Sequence, residues 1–305
     1  MQPGGTLTVD LSALSVAGAA LARFALQSWS SVTGIGFIET TFDPQIRFDQ
    51  ANAGAISSST IVNGIITSFY VNISTEWLAS YGTTLDSDGF QTGLPEIGRA
   101  LGLGHAGNHD VSAVFGVDNL CLNDSWQATL ISYFSQTDNS FISASYACAV
   151  TPMVADIIAV QRLYEVAAVE GGDTVWGRGA TATGPLAKLF GQIFGTDPAD
   201  LSLYAGNAVT FTILDTGGTD ILDLGTDAQN QRIDLNPEGI SDVLGLTGNL
   251  VIARGTLIES CIAGSGDDWL RGNGAGNGLW GGWGPTGWPV AAGETVWMAA
   301  TAATC

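Results

Sequence analysis

The sequence predicts an α+β domain followed by an all-β domain wound as a parallel β-roll. Three observations predict this division. A long amphipathic helical pattern followed by short alternating strands fills the first half, the 41 glycines become denser after about residue 170, and a nine-residue glycine-rich repeat runs near the end. At 305 residues the chain is long enough for two domains, each with its own core. The expected division is 1–168, 169–289 and an atypical tail at 290–305.

The first strand is LTVDL at 6–10, and residues 12–32 read as an amphipathic helix with Leu14, Leu21, Phe24, Ala25 and Trp29 on one face. Short strands follow at about 34–39, 45–49 and 65–73, separated by Gly, Asn and Ser turns. A second helix is expected over 90–103, weakened by Gly93, Pro95 and Gly98. A third covers 152–164, where Met153, Ile157, Val160 and Tyr164 recur at helical spacing and Pro152 suits the first turn. Beyond Gly171 the pattern turns β-like. The repeat units AGSGDDWLR, GNGAGNGLW and GGWGPTGWP run from Ala263 to Pro289. In the ideal unit an aspartate binds calcium between turns and a large apolar residue fills the roll. Asp268 and Leu270 take those roles in the first unit, Asn277 and Leu279 in the second, Thr286 and Trp288 in the third, so calcium ligation fades along the repeat.

Acidic side chains outnumber basic ones 29 to 9, a formal net charge of −20. Such a field repels nucleic acid and anionic membrane and attracts divalent cations. No run of 18 apolar residues marks a transmembrane helix, and residues 1–20 lack a basic start followed by an apolar stretch, so no N-terminal signal peptide is expected. Cys121, Cys148, Cys261 and Cys305 form no C-x-x-C pair. Buried free thiols are expected, and a Cys121–Cys148 disulfide stays open.

Residues 95–105, PEIGRALGLGH, carry the chemical question. In H-E-x-x-H-x-x-G-x-x-H, two histidines one helical turn apart grip zinc, the glutamate holds the attacking water as general base, and the glycine turns the chain so that a third histidine reaches the metal. Glu96, Gly102 and His105 stand where that scheme needs them, but Pro95 and Arg99 replace the first two histidines. The chain has two histidines in all, His105 and His109, so a three-histidine site is excluded by counting. Proline has no donor atom and inside a helix costs roughly 3 kcal/mol. The arginine stays protonated and repels Zn2+. Glu96 is expected to pair with Arg99, three residues on along the same helical face, and no pattern directs His109 inward.

The chain resembles the serralysin-type metallopeptidases, metzincins with a C-terminal calcium-binding β-roll. The segments that carry the resemblance are ALQSWSSVTGIGF, PEIGRALGLGHAGN, ISYFSQT and TPMVADIIAVQRLY in the first half, then GGDTVWG, LDTGGTDILDL, QRIDLN and IAGSGDDWLRGN. It implies a metzincin-like catalytic domain followed by the roll. It puts the family's zinc ligands on Pro95, Arg99 and His105, the general base on Glu96, the metal-approaching tyrosine on Tyr133 and the Met-turn methionine on Ile131. Its calcium sites fall on Asp215, Asp220, Glu259 and Asp268 side chains, with carbonyls around Gly172, Thr174, Gly217 and Gly218. Oxygen-only ligands suit calcium.

Ca2+ is therefore the expected cofactor, and one histidine of three does not hold Zn2+ tightly. Without it the bulk-water pKa of about 15.7 is not lowered to about 7. The resemblance implies an extracellular, monomeric protein whose partner is an extracellular protein or peptide, with no membrane insertion and export in the manner of type I substrates. The tail lacks the acidic-then-apolar ending that resembling proteins use for export, as a reading frame shifted near residue 285 would produce. Two functions compete: a secreted zinc endopeptidase, and a calcium-stabilised pseudopeptidase that binds peptide along an edge strand or serves a structural role outside the cell.

Overall fold

The computed structural model describes residues 5–109 and 112–282, together with the backbone of a strand at Thr295–Trp297. The third repeat unit beyond Gly282, Cys305 and most of the tail lie outside the described residues.

Strand β1 (Thr6–Asp10) leads into helix α1 (Val16–Thr33), which starts four residues later than the periodicity suggests. The reason is a local cap. The Ser15 hydroxyl accepts from the Gly18 N–H at 3.2 Å, which ends the non-helical segment there, so Leu14 lies before the helix. At the other end Gly34 adopts φ 66° and donates to the Ser30 carbonyl. Leu21, Ala25 and Trp29 form the buried stripe.

Strands β2 (Gly36–Glu39), β3 (Ile46–Asp49), β4 (Ala55–Val62) and β5 (Ile65–Ile73) complete a sheet in the order β2-β1-β3-β5-β4. All pairs are parallel except β4–β5. Strand β4, absent from the expected set, is joined to β5 by Asn63 and Gly64, both at positive φ, the two-residue turn that suits a twisted hairpin. Its outer side is the free edge of this sheet. A short helix, α2 (Thr75–Tyr81), then precedes α3 (Asp88–Ala100), whose first turn is capped by Ser87.

The α1–α3 contact sets the position of everything that follows. The Trp29 indole N–H donates to the Leu94 carbonyl at 2.8 Å, and both residues are fully buried. A β-carbon at Gly98 would stand 2.7 Å from the Trp29 ring and 3.2 Å from Ile131, so glycine is what lets the two helices approach.

After β6 (Cys148–Ala149), helix α4 (Val154–Tyr164) begins at a Met153 cap, which puts Pro152 before the helix rather than in its first turn. Strand β7 (Val175–Gly177) opens the roll. Helix α5 (Gly184–Ile193) interrupts the region expected to be all-β, with Pro185 in its first turn and Leu186, Leu189 and Phe190 buried; it packs against α1.

The remaining strands are short and almost all parallel: β8 (Val209–Ile213), β9 (Ile221–Asp223), β10 (Arg232–Asp234), β11 (Ile240–Ser241), β12 (Leu250–Ile252), β13 (Ser260–Ile262), β14 (Trp269–Arg271), β15 (Asn277–Trp280) and β16 (Thr295–Trp297). Register explains the nine-residue repeat. Cys261, Leu270 and Leu279 are spaced by nine, and they fall on β13, β14 and β15, that is, alternately on two sheets. One unit is thus half a turn of the roll. On one sheet Trp176, Leu222, Cys261 and Leu279 pair in succession, and on the other Ile233 pairs with Leu270. All six are buried and fill the roll's interior.

The two halves are not separate cores. Strand β6 joins β8 in one sheet, and a single apolar cluster runs from Leu7 to Leu279. Asp86 accepts from the Ala205 and Asn207 N–H groups, holding the segment before β8 on the segment before α3.

Gly98→Ala is expected to push the Trp29 ring away from α3 and to lower stability by about 1–3 kcal/mol in urea unfolding. An unchanged midpoint would show that the helices have room to part.

Candidate active site

Helix α3 runs through Pro95 unbroken and carries Glu96 and Arg99 to the floor of a cleft of about 640 Å³. Pro95, Glu96, Arg99, Trp77, Ile131 and Tyr133 are among its lining residues. Gly102, at φ 97°, turns the chain back, with its N–H on the Arg99 carbonyl and the next N–H on Gly98. That turn delivers His105 to the same place.

Arg99 occupies the centre of the site. Its Nη1 lies 2.7 Å from His105 Nε2. A guanidinium can only donate, so the Nε2 lone pair, the one that could bind a metal, accepts this bond. Arg99 Nε also lies 3.6 Å from Glu96 Oε2, the ion pair expected from sequence. The pair is close but not hydrogen-bonded, since both of these buried atoms lack a hydrogen-bond partner. The participation of His105 was not foreseen: one cation bridges the base position and the remaining ligand position.

Tyr133 stands edge-on to His105, ring centroids 5.0 Å apart, and is partly open to solvent. Ile131, in the place of the expected methionine, is buried and forms an apolar floor against α3. A residue overlooked in the sequence, Asp156, holds this turn in place. Its Oδ1 accepts from the Thr129 hydroxyl at 2.6 Å, and its Oδ2 from the N–H groups of Leu130 and Met153 at 2.8 and 2.9 Å. Burial pushes the Asp156 carboxyl up to about 6, against which these three bonds act.

His109 departs from expectation. It is buried, its ring stacked on Tyr133 at 5.0 Å and edge-on to Phe134, and its Nε2 lies 3.1 Å from Asp124 Oδ2. The cysteines also need correction: Cys148 and Cys261 are buried free thiols as expected, but Cys121 is exposed.

Pro95 and Arg99, with the His105 lone pair engaged, do not fit a zinc ion at the position the fold provides.

Residues 201–282 match the family model described as peptidase M10 serralysin C terminal. The chain is 33% identical over 292 residues to a serralysin of Photorhabdus laumondii, a match covering 88% of this chain and 56% of that protein. It is 34% identical over 273 residues to the metallopeptidase AprA of Pseudomonas marginalis (85% and 54%), and 34% identical over 284 residues to serralysin A of Dickeya chrysanthemi (88% and 55%).

The chain belongs to the serralysin-type metallopeptidase family. It spans about half the length of the curated serralysins that it matches.

In the roll of this serralysin-type chain, three of the acidic residues singled out in the sequence, Asp215, Asp220 and Glu259, stand together. Asp220 Oδ1 accepts from the Thr174 N–H, and Glu259 Oε2 accepts from the Asp220 N–H, each at 2.8 Å. Asp215 accepts from the Gly217 N–H and the Trp176 indole. Burial first, then the charges of Asp215 and Glu259, push Asp220 up to about 6, and burial likewise raises Asp215. Asp220 Oδ2 is buried without a hydrogen-bond partner, and so, within the repeat, is Asp268 Oδ2. Gly218, at φ 134°, brings its Cα against the Gly172 carbonyl, where a β-carbon would clash. The Thr174 hydroxyl donates to that same carbonyl at 2.8 Å. Of these three carboxylates only Asp220 has a buried oxygen without a partner, and among the described residues no three His, Cys, Asp or Glu side chains form a metal cluster; oxygen donors of this kind are the ones a hard cation such as calcium takes. In the second repeat unit Asn277 instead exchanges hydrogen bonds with Asn273, an amide pair that closes the turn without a cation.

Asp156→Asn is expected to destabilise the chain by about 1–3 kcal/mol at pH 7, because the carboxylate accepts through both oxygens and an amide has only one that can accept. A buried carboxyl with a raised pKa binds its proton more readily folded than unfolded, so wild-type stability gains as pH falls from about 6 toward 4. The variant lacks that gain. The deficit should therefore be about 1 kcal/mol larger at pH 5 than at pH 7 in urea unfolding; an equal deficit at both would remove the carboxyl from this account.

Proposed function

We propose that this chain is a secreted serralysin-type scaffold that has lost peptidase activity and binds extended peptide without cleaving it. One observation carries the first half of this reading: Arg99 donates to His105 Nε2 at 2.7 Å while standing 3.6 Å from Glu96. A fixed cation at that point repels Zn2+ and neutralises the carboxylate that would take a proton from water. Glu96 and Tyr133 keep the family's places, but with no metal-activated water neither has a reaction to assist. The serralysins named above are the relatives from which secretion and the metallopeptidase ancestry are inferred.

Peptide binding is supported by the free edge of β4 beside the cleft. Its unpaired backbone groups can accept an added strand, and Ala55 at its start lines the cleft with Trp77 and Tyr133. The partner is then an extracellular protein or peptide, bound by a chain that is itself monomeric. With a net charge of −20, a basic segment is favoured.

Calcium completes the reading. Asp215, Asp220 and Glu259, with carbonyls near Gly172, Thr174, Gly217 and Gly218, would hold one ion, and Asp268 another within the repeat. The ion supplies positive charge to carboxylates that otherwise repel one another.

With zinc added, the wild-type chain is expected to leave casein uncut, and Pro95→His with Arg99→His to restore chelator-sensitive cleavage, because Glu96, Tyr133 and the Ile131 floor are in place. Zinc-dependent cleavage by the wild type would overturn the proposal. For calcium, chelation should speed amide exchange in the strands between 209 and 280 before it does so in α1 and α3. For each site saturated a hundredfold above its Kd, about 2.7 kcal/mol is lost. Exchange and melting indifferent to calcium would count against the assignment.

A further inference from the structure

Behind the site just described lies a second polar pair that the peptidase scheme does not use. The side chains of His109 and Asp124 are 0% exposed, and His109 Nε2 stands 3.1 Å from Asp124 Oδ2. Their contact lacks hydrogen-bond alignment: both ring nitrogens and both carboxylate oxygens are buried without a hydrogen-bond partner. Four such atoms in one place are costly, since a buried carboxylate needs a compensating charge or donors and a buried imidazole needs a partner.

The surroundings point to a shared ligand. A β-carbon built on Gly107 would lie 2.6 Å from His109 Nε2, 2.9 Å from Asp124 Oδ2 and 2.6 Å from the Asp118 carbonyl oxygen. Three donor atoms from separate parts of the loop thus stand close to one another round the bare α-carbon of Gly107, an approach that a side chain there would prevent. The Asp118 carbonyl accepts from the Asn108 N–H and keeps a second lone pair. Metal–nitrogen and metal–oxygen bonds of about 2.0–2.2 Å separate neighbouring ligands by roughly 3.3–3.6 Å at tetrahedral angles and roughly 2.8–3.1 Å at right angles, and 3.1 Å lies between these arrangements. Apolar and aromatic groups enclose the pair, with Tyr133 and Phe134 against the imidazole.

We propose that His109, Asp124 and the Asp118 carbonyl bind one divalent transition-metal ion, zinc being the best match to an imidazole beside oxygen donors. Imidazole nitrogen sets this site apart from the oxygen-only sites of the roll. It is also distinct from the ancestral zinc position, where His105 is engaged by Arg99. Among the described residues no three His, Cys, Asp or Glu side chains form a metal cluster, so the third protein donor is the carbonyl, with solvent completing the shell. The ion would tie the loop around Gly107 to the segment at Asp124 and fix the ring on which Tyr133 stacks. Its role is structural and does not depend on whether the chain cleaves or binds peptides.

The chain contains two histidines, which makes the test direct. The full chain, labelled with 15N-histidine and saturated with Ca2+, is titrated with Zn2+ while the ring nitrogens are followed by NMR, with His105→Gln supplying the assignment. One equivalent of Zn2+ is expected to move the His109 signals and leave those of His105 unchanged. Unmoved His109 signals, or movement of His105 instead, would overturn the proposal. Gly107→Ala, which places a methyl among the donors, and Asp124→Asn should each weaken zinc binding at least tenfold. Wild-type affinity in a folded variant of either kind also sinks it, and if neither variant folds, the wild-type titration decides.

Discussion

The packing of α3 on α1 is the constraint on which the rest of the site depends. The Trp29 indole binds the Leu94 carbonyl in a dry interface, and Gly98 lets the ring lie against the helix. A buried N–H of this kind has one acceptor within reach, so the bond fixes the rotation of α3 as well as its depth. That rotation decides which side of the helix meets the cleft, and Pro95, Glu96 and Arg99 are on it. The turn at Gly102 and the return of His105 follow from where α3 ends. The opposite wall is fixed by Asp156, which holds the turn bearing Ile131 and Tyr133 on the first turn of α4.

Within this frame, two substitutions change the chemistry without changing the architecture. A proline in mid-helix removes one hydrogen bond, yet α3 stays continuous because the interfaces on either side hold it. The arginine supplies a positive charge where the family places a metal. A guanidinium is a poor substitute as an electrophile, since it neither polarises water nor opens a coordination position. As a structural charge it serves well, satisfying the imidazole at 2.7 Å and partly neutralising Glu96. The group that stands in the metal's place thus also satisfies the polar side chains around it.

The roll obeys a different rule. Its interior is a stack of single apolar residues contributed alternately to two sheets, so each nine-residue unit needs one large side chain and a turn that can be made either by a cation between carboxylates or by amides. Asp268 accepts from the Gln231 N–H and leaves its other oxygen unpartnered, whereas Asn273 and Asn277 close their turn with amides. Fading of the aspartates along the repeat is therefore compatible with an unbroken ladder through β15 and β16.

The sequence by itself determined the α+β then β-roll order, the first and last helices of the peptidase half, the nine-residue repeat, and the exclusion of a three-histidine zinc site, because these rest on periodicity, on glycine spacing and on counting. The hairpin at Asn63-Gly64 and helix α5 behind Pro185 also carry local signals in the sequence, though glycine-rich surroundings obscure them. What only the tertiary structure decided is long-range. The capture of His105 by Arg99 depends on the turn at Gly102, the role of Asp156 on a contact 26 residues away in sequence, and the inward placement of His109 on Asp124 and Tyr133 closing over it. No local pattern encodes these, because the free energy of a buried polar group is set by which partners the fold brings to it, and that is known only once the chain has closed.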